Sequence, residues 1–198
     1  MRCIPIHAQF PRTRGSFTKL NLAAFDLSLT GTGVAISNGS VSTVSTLKPP
    51  KTAKDGMPRL HWILDQLKQT VIIVTPKLVV MEDLAFAAHD REHQRAGLAY
   101  LVRYFLWSAK IPYILVAPTS LKKFVTGSGK AEKSMMLMDV YKRWGIEAKN
   151  DNEADAYALL RIGIVLTGQA KIETRAQKET LATISKNNLE AIKQCSTK

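Results

Sequence analysis

The chain has 198 residues, 45% of them hydrophobic, which is enough to bury the core of one globular domain. Lys and Arg number 28 against 16 Asp and Glu, a net charge of +12 and a pI near 9.8, so a polyanionic partner, nucleic acid first, is expected. The longest apolar run, Val71 to Met81, is broken by Pro76 and Lys77 and excludes a membrane span.

Residues 1–20 contain Arg2, Arg12, Arg14 and Lys19 and no acid. They read as a flexible basic arm that touches DNA. The same composition resembles an organelle transit peptide, a weaker reading, and the apolar stretch of a secretion signal is lacking. Cys3 and Cys195 lie near opposite ends and form neither a metal-binding spacing nor a disulfide framework, so a reducing, cytoplasmic setting is expected.

Leu20 to Ser28, Gly33 to Ser37 and Val41 to Leu47 read as three short strands joined by turns at Gly31 and Asn38-Gly39, an antiparallel meander. After a proline-containing loop, the spacing of Leu60, Ile63, Leu64 and Leu67 is helical, and Leu78 to Met81 reads as a buried strand that ends at Glu82. Residues 91–109 predict a helix with Leu98, Leu101, Val102, Phe105 and Leu106 on one face, and a strand follows from Tyr113 to Val116. A short helix, a Gly-rich turn and helices over roughly 131–143 and 152–167 complete a single domain at 21–168. Strands that come first as a meander and then alternate with helices predict a mixed sheet flanked by helices. The basic stretch 169–198 admits a weakly amphipathic helix, through Leu181, Ile184 and Ile192, or a disordered tail.

Acids fall where a purely structural role is awkward. Asp26 interrupts the apolar strand in Ala-Ala-Phe-Asp-Leu-Ser-Leu-Thr-Gly-Thr-Gly, Glu82 ends Leu-Val-Val-Met-Glu, and Asp151, Glu153 and Asp155 crowd the start of an apolar helix. Singly, each has an ordinary explanation: a bond to the following turn, the first loop residue, an N-cap. Asp155 is harder to explain in that way, because it lies a full turn inside the helix on the face of Asp151. Two carboxylates on one face repel unless a cation sits between them, and oxygen donors suit Mg²⁺ or Mn²⁺.

This ordered set of acids resembles the RuvC branch of the RNase H-like superfamily. The stretch Ala-Pro-Thr-Ser-Leu-Lys-Lys-Phe-Val-Thr-Gly-Ser-Gly-Lys-Ala-Glu-Lys also resembles RuvC between its fifth strand and the next helix, and the phrasing around Asp26 and Asp155 is most similar to RuvC-like proteins of phages. The resemblance covers about residues 21–165. It implies an α/β, RNase H-like mixed five-stranded sheet, an antiparallel meander followed by parallel strands, with flanking helices. It implies Asp26, Glu82 and Asp155 as metal ligands for two Mg²⁺ or Mn²⁺ ions, and Lys122 and Lys133 as the two active-site lysines. The fourth acid is ambiguous, since the family's position three residues before the last Asp is Asn152 in this chain. Asp151 is preferred, because four residues earlier stays on the helix face, and Glu153 is the competitor.

The expected activity is hydrolysis of four-way DNA junctions to 5′-phosphate and 3′-hydroxyl nicks. A two-fold symmetric junction needs two symmetric cuts, so a homodimer is expected, with the 91–109 helix and its Tyr100, Tyr104 and Trp107 as the dimer surface. Lys122, Lys123, Gly127, Gly129, Lys130 and Lys133 form the expected DNA-binding segment, whose small residues let the backbone approach a phosphate. Phe86 and Phe124 are candidates for stacking on bases, with burial the commoner role. His89 and His93 are four apart without a third histidine nearby, so solvent-facing places are expected. Rival readings are a nuclease of the same fold acting on other branched DNA or RNA-DNA hybrids, and a non-catalytic junction-binding protein. A phosphotransferase of the actin and sugar-kinase type needs a second nucleotide-binding lobe for which the chain is too short, so no nucleotide cofactor is expected.

Overall fold

The computed structural model describes residues 20–84 and 90–195. The basic arm, apart from its last residue, and Phe86 and His89 lie outside them. Five strands, β1 (Leu22–Asp26), β2 (Thr32–Ser37), β3 (Ser42–Leu47), β4 (Leu78–Glu82) and β5 (Tyr113–Val116), form one sheet in the order β3-β2-β1-β4-β5. β1, β2 and β3 pair antiparallel, and β1, β4 and β5 pair parallel. This is the mixed five-stranded sheet that the sequence predicts.

Among the described residues six helices cover the sheet: α1 (Met57–Val74), α2 (Asp90–Ser108), α3 (Pro118–Thr126), α4 (Lys133–Trp144), α5 (Asp151–Leu166) and α6 (Arg175–Cys195). None among the described residues is long and apolar enough to cross a membrane. The alternation of side chains along each strand splits the core in two. Leu22, Ala24, Leu78, Val80, Ile114 and Val116 pack beneath α5 and its neighbours, while Ala23, Phe25, Val79 and Met81 face α1 and α2. Asp26 and Glu82 continue the first series. Both carboxylates therefore emerge on the α5 face, at the carboxyl ends of two adjacent parallel strands in which Phe25 is level with Met81. In open α/β sheets that end is where ligands bind.

α5 lies unusually close to this face. Gly33 pairs with Asp26 across β1 and β2, and a Cβ at Gly33 would come within 2.0 Å of the Asn152 carbonyl oxygen. At the other end, a Cβ at Gly163 would meet Val80 Cγ2 at 2.9 Å. Only glycine fits at the first contact, and it sets how near the first turn of α5 comes to Asp26.

The Gly-rich turn has a structural basis as well. Gly127 ends α3 with φ 85°, and a Cβ at Gly129 would press on the Thr119 carbonyl at 3.1 Å. Residues 175–195, for which the sequence allowed a helix or a disordered tail, form α6. Its Leu181 and Ile184 join the core. Asn188 accepts from the Leu115 N–H at 2.8 Å and donates to the Leu115 carbonyl at 2.9 Å, which pairs the outer edge of β5 as a neighbouring strand would.

Candidate active site

Asp26, Glu82, Asp151 and Asp155 line one open cleft of about 520 Å³, together with Lys122, Lys133, Arg95 and Asn152. The strand ends supply Asp26 and Glu82, α5 supplies Asp151, Asn152 and Asp155, α3 supplies Lys122, and the start of α4 supplies Lys133.

Asp26 is only 6% exposed, and its carboxyl is pushed up to about 7, first by burial and then by the charges of Glu82 and Asp155. Asp155 is likewise pushed up to about 7, by burial first and then by Glu82 and Asp151. Glu82 is raised by burial against the opposing pull of Arg95, whose Nη2 donates to Glu82 Oε2 at 2.9 Å. Lys133 Nζ lies 3.0 Å from Asp151 Oδ2, and this hydrogen bond raises the lysine above its ordinary range.

The donor set fits a hard divalent cation in kind: carboxylate oxygens crowd in a partly buried cleft where their own repulsion favours added positive charge. Among the described residues no three acid, imidazole or thiol groups are already gathered closely enough to hold an ion. Two of the four acids are drawn to cations of the protein, Glu82 to Arg95 and Asp151 to Lys133.

These shifts have a measurable consequence. The folded-state values of Asp26 and Asp155 lie above the ordinary 3.8. Between about pH 4 and about pH 7 the folded protein therefore keeps protons that the unfolded chain has released, and stability falls as pH rises through that window. Without divalent ions, Asp26→Asn and Asp155→Asn should melt higher than the parent at pH 8, by roughly 5 °C, and level with it near pH 4. Thermal melts at the two pH values check this. A parent that melts as high as both variants at pH 8 would mean that the acids are not crowded.

The sequence-predicted acids separate clearly. Asp151 faces the cleft, but it is not the N-cap; Asn150 is, with its side chain accepting from the Glu153 N–H at 3.1 Å. Glu153 is 5% exposed and turned away from the cleft acids. Its carboxylate accepts from Thr46 Oγ1 and from the Lys149 N–H, each at 2.9 Å, so it closes the helix start and ties α5 to β3.

The basic segment also divides. Lys122 and Lys133 reach the cleft, whereas Lys123 pairs with Glu179 of α6 at 3.0 Å and Lys130 is exposed on the turn. Phe124 is 1% exposed and stacks on Trp144 with ring centroids 6.2 Å apart, so it belongs to the core. His93 is exposed. The sequence pattern does not single out Arg95, and it marks Asn152 only as the residue at the family's fourth-acid position and Gly33 only as the start of a strand. For Arg95 a signal existed, because it shares a helical stripe with Leu98, Val102 and Leu106, and a cation on a buried stripe needs an anionic partner.

The meander-then-parallel sheet with acids converging at the ends of β1 and β4 under α5 defines an RNase H-like nuclease. No family model matches the chain. The crossover junction endodeoxyribonuclease RuvC of Carboxydothermus hydrogenoformans is 32% identical over 132 residues, which cover 65% of this chain and 82% of that protein. The chain belongs to the RuvC family. The structure of Thermus thermophilus RuvC shares the fold with a TM-score of 0.60 at 20% identity, over 77% of this chain and 99% of that one. The structure of T. thermophilus RuvC in complex with Holliday junction substrate gives 0.61 at 18% identity, over 81% and 97% of the two chains.

Proposed function

We propose that the protein resolves four-way DNA junctions as a homodimer, by metal-dependent hydrolysis of phosphodiester bonds that leaves 5′-phosphate and 3′-hydroxyl ends. The observation that carries this reading is the convergence of Asp26, Glu82, Asp151 and Asp155 on one cleft beside Lys122 and Lys133. Its substrate rests on family membership, since the C. hydrogenoformans relative is a crossover junction endodeoxyribonuclease and T. thermophilus RuvC has been captured with a Holliday junction.

Asp26, Glu82 and Asp155, with Asp151 beside them, would hold two Mg²⁺ or Mn²⁺ ions. When bound, such ions supply Lewis acidity to an attacking water and to the leaving 3′ oxygen. The protein's own groups do the rest. Lys122 and the half-restrained Lys133 offer positive charge to the scissile phosphate, and Asp151 holds the Lys133 ammonium toward the cleft. Burial of Asp26 and partial burial of Asp155 strengthen the charge interactions at the floor of the site.

Phosphate contacts by Lys and Arg displace counterions, so junction affinity should fall steeply with salt. With about six such contacts, the loss is roughly a thousandfold between 50 and 200 mM salt. Filter binding across that range checks it, and a flat profile would contradict a phosphate-dominated interface.

The dimer follows from substrate symmetry and from α2. That helix buries Leu98, Val102 and Leu106 against the sheet and leaves Tyr100, Tyr104 and Trp107 at least half exposed on its outer side. The double substitution Tyr104→Glu and Trp107→Glu should convert a dimer to a monomer in sedimentation, without unfolding. An unchanged sedimentation coefficient would move the dimer surface elsewhere.

Competing substrates are separated by offering a four-way junction, a flap and an RNA-DNA hybrid under identical Mg²⁺ conditions. Preferential, paired cutting of the junction is expected. Preference for the hybrid or the flap would assign the protein a different role within the same fold, and tight junction binding without cutting would make it a non-catalytic binder.

A further inference from the structure

The side chain that touches Glu82 has no assigned part in the site. Arg95 projects from the sheet-facing stripe of α2 and makes two directed contacts. Its Nη2 donates to Glu82 Oε2 at 2.9 Å, and its Nε donates to the main-chain carbonyl of Leu27 at 3.1 Å. One planar guanidinium therefore joins the end of β4 to Leu27, the residue just past the end of β1. Two turns further along α2, Arg103 Nη2 donates to Asp83 Oδ1 at 2.9 Å. Successive acids at the end of β4 are thus each held by an arginine of the same helix, which fixes the height of α2 against the strand.

We propose that Arg95 is a positioning residue that orients Glu82, and the β1 end beside it, so that Glu82 and Asp26 present oxygens to a common divalent ion. This rests on the metal-site reading above. The contact engages Oε2, and a carboxylate has a second oxygen to offer. A fixed cation near a ligand also repels a metal ion, so the two effects oppose each other. Arg95 is 40% exposed, which screens its charge, whereas loss of an oriented partner behind a metal ligand typically costs about 10- to 100-fold in affinity. Orientation therefore wins. Lysine at this position keeps the charge but not the rigid fork that spans Glu82 and the Leu27 carbonyl.

The test is Mn²⁺ binding by the full-length protein, followed by loss of the free-ion EPR signal, in the parent, Arg95→Ala, Arg95→Lys and Glu82→Gln, with thermal melts alongside. The Mn²⁺ dependence of junction cleavage is measured on the same samples. Arg95→Ala should weaken Mn²⁺ binding about tenfold or more, Arg95→Lys should fall between it and the parent, and saturating Mn²⁺ should restore much of the cleavage rate. If Arg95→Ala is unfolded, Arg95→Lys carries the test by the same weakening. Parent-like binding by the folded variants would reduce Arg95 to a structural tie, and tighter binding would make it a competing cation; either result overturns the proposal. A parent that binds no Mn²⁺, or a Glu82→Gln variant that binds like the parent, would overturn the metal-site reading itself and the proposal with it.

Discussion

Asp26→Asn and Asp155→Asn are each expected to abolish junction cleavage while junction binding persists. Both carboxylates are pushed up to about 7 by burial and then by neighbouring acids, and asparagine removes the charge while keeping shape and volume. Metal-centred charge stabilisation is worth several kcal/mol, so losing one ligand should lower the single-turnover rate by about a thousandfold or more. Affinity comes mainly from Lys and Arg contacts to phosphates, which the substitution leaves alone. Single-turnover cleavage and a gel-shift titration on one junction measure the two quantities separately. Substantial cutting by either variant would remove that residue from the metal site. The same substitutions are expected to raise stability at pH 8 without divalent ions, so loss of rate could not be ascribed to unfolding.

The second large effect separates two acids two residues apart on α5. Asp151→Asn should lower the cleavage rate by roughly a hundredfold or more, because it removes a carboxylate from the cleft and the 3.0 Å partner of Lys133. Glu153→Gln should leave the rate of the folded enzyme close to the parent's. The buried Glu153 carboxylate is occupied by Thr46 and the Lys149 N–H, so its loss should appear as a stability cost of about 1 kcal/mol and a melt lowered by a few degrees. Rates under single turnover and melts of both variants decide it. A dead Glu153→Gln beside a normally cutting Asp151→Asn would reverse the assignment.

How much of this was legible in the sequence differs from element to element. Asp26 and Glu82 announced themselves because a carboxylate at the end of an apolar strand has few structural uses, and strand alternation then places both on one face. Asp155 stood out by helical spacing from Asp151. Glu153 competes with Asp151 in the sequence because their roles depend on where α5 begins, and that is set by the Asn150 cap and by Thr46 on a strand more than a hundred residues away. The close approach of α5 to the sheet was hidden in Gly33, which reads locally as the start of a strand but acts through space on Asn152. Lys122 and Lys123 are adjacent and equally basic, and only the packing of α6 turns one to Glu179 and leaves the other at the cleft. The helix of residues 175–195 is written in a weak amphipathic pattern whose apolar positions gain meaning once α3 and β5 offer a surface.

Junction resolution itself is measured by single-turnover incubation of the protein with a synthetic four-way junction, end-labelled on each strand in turn, with Mg²⁺ and with EDTA. Paired, symmetric nicks across the branch point bearing ligatable 5′ phosphates are expected with Mg²⁺ and none with EDTA. Cleavage that persists in EDTA, or junctions bound tightly and never cut with Mg²⁺ or Mn²⁺ present, would contradict metal-dependent resolution.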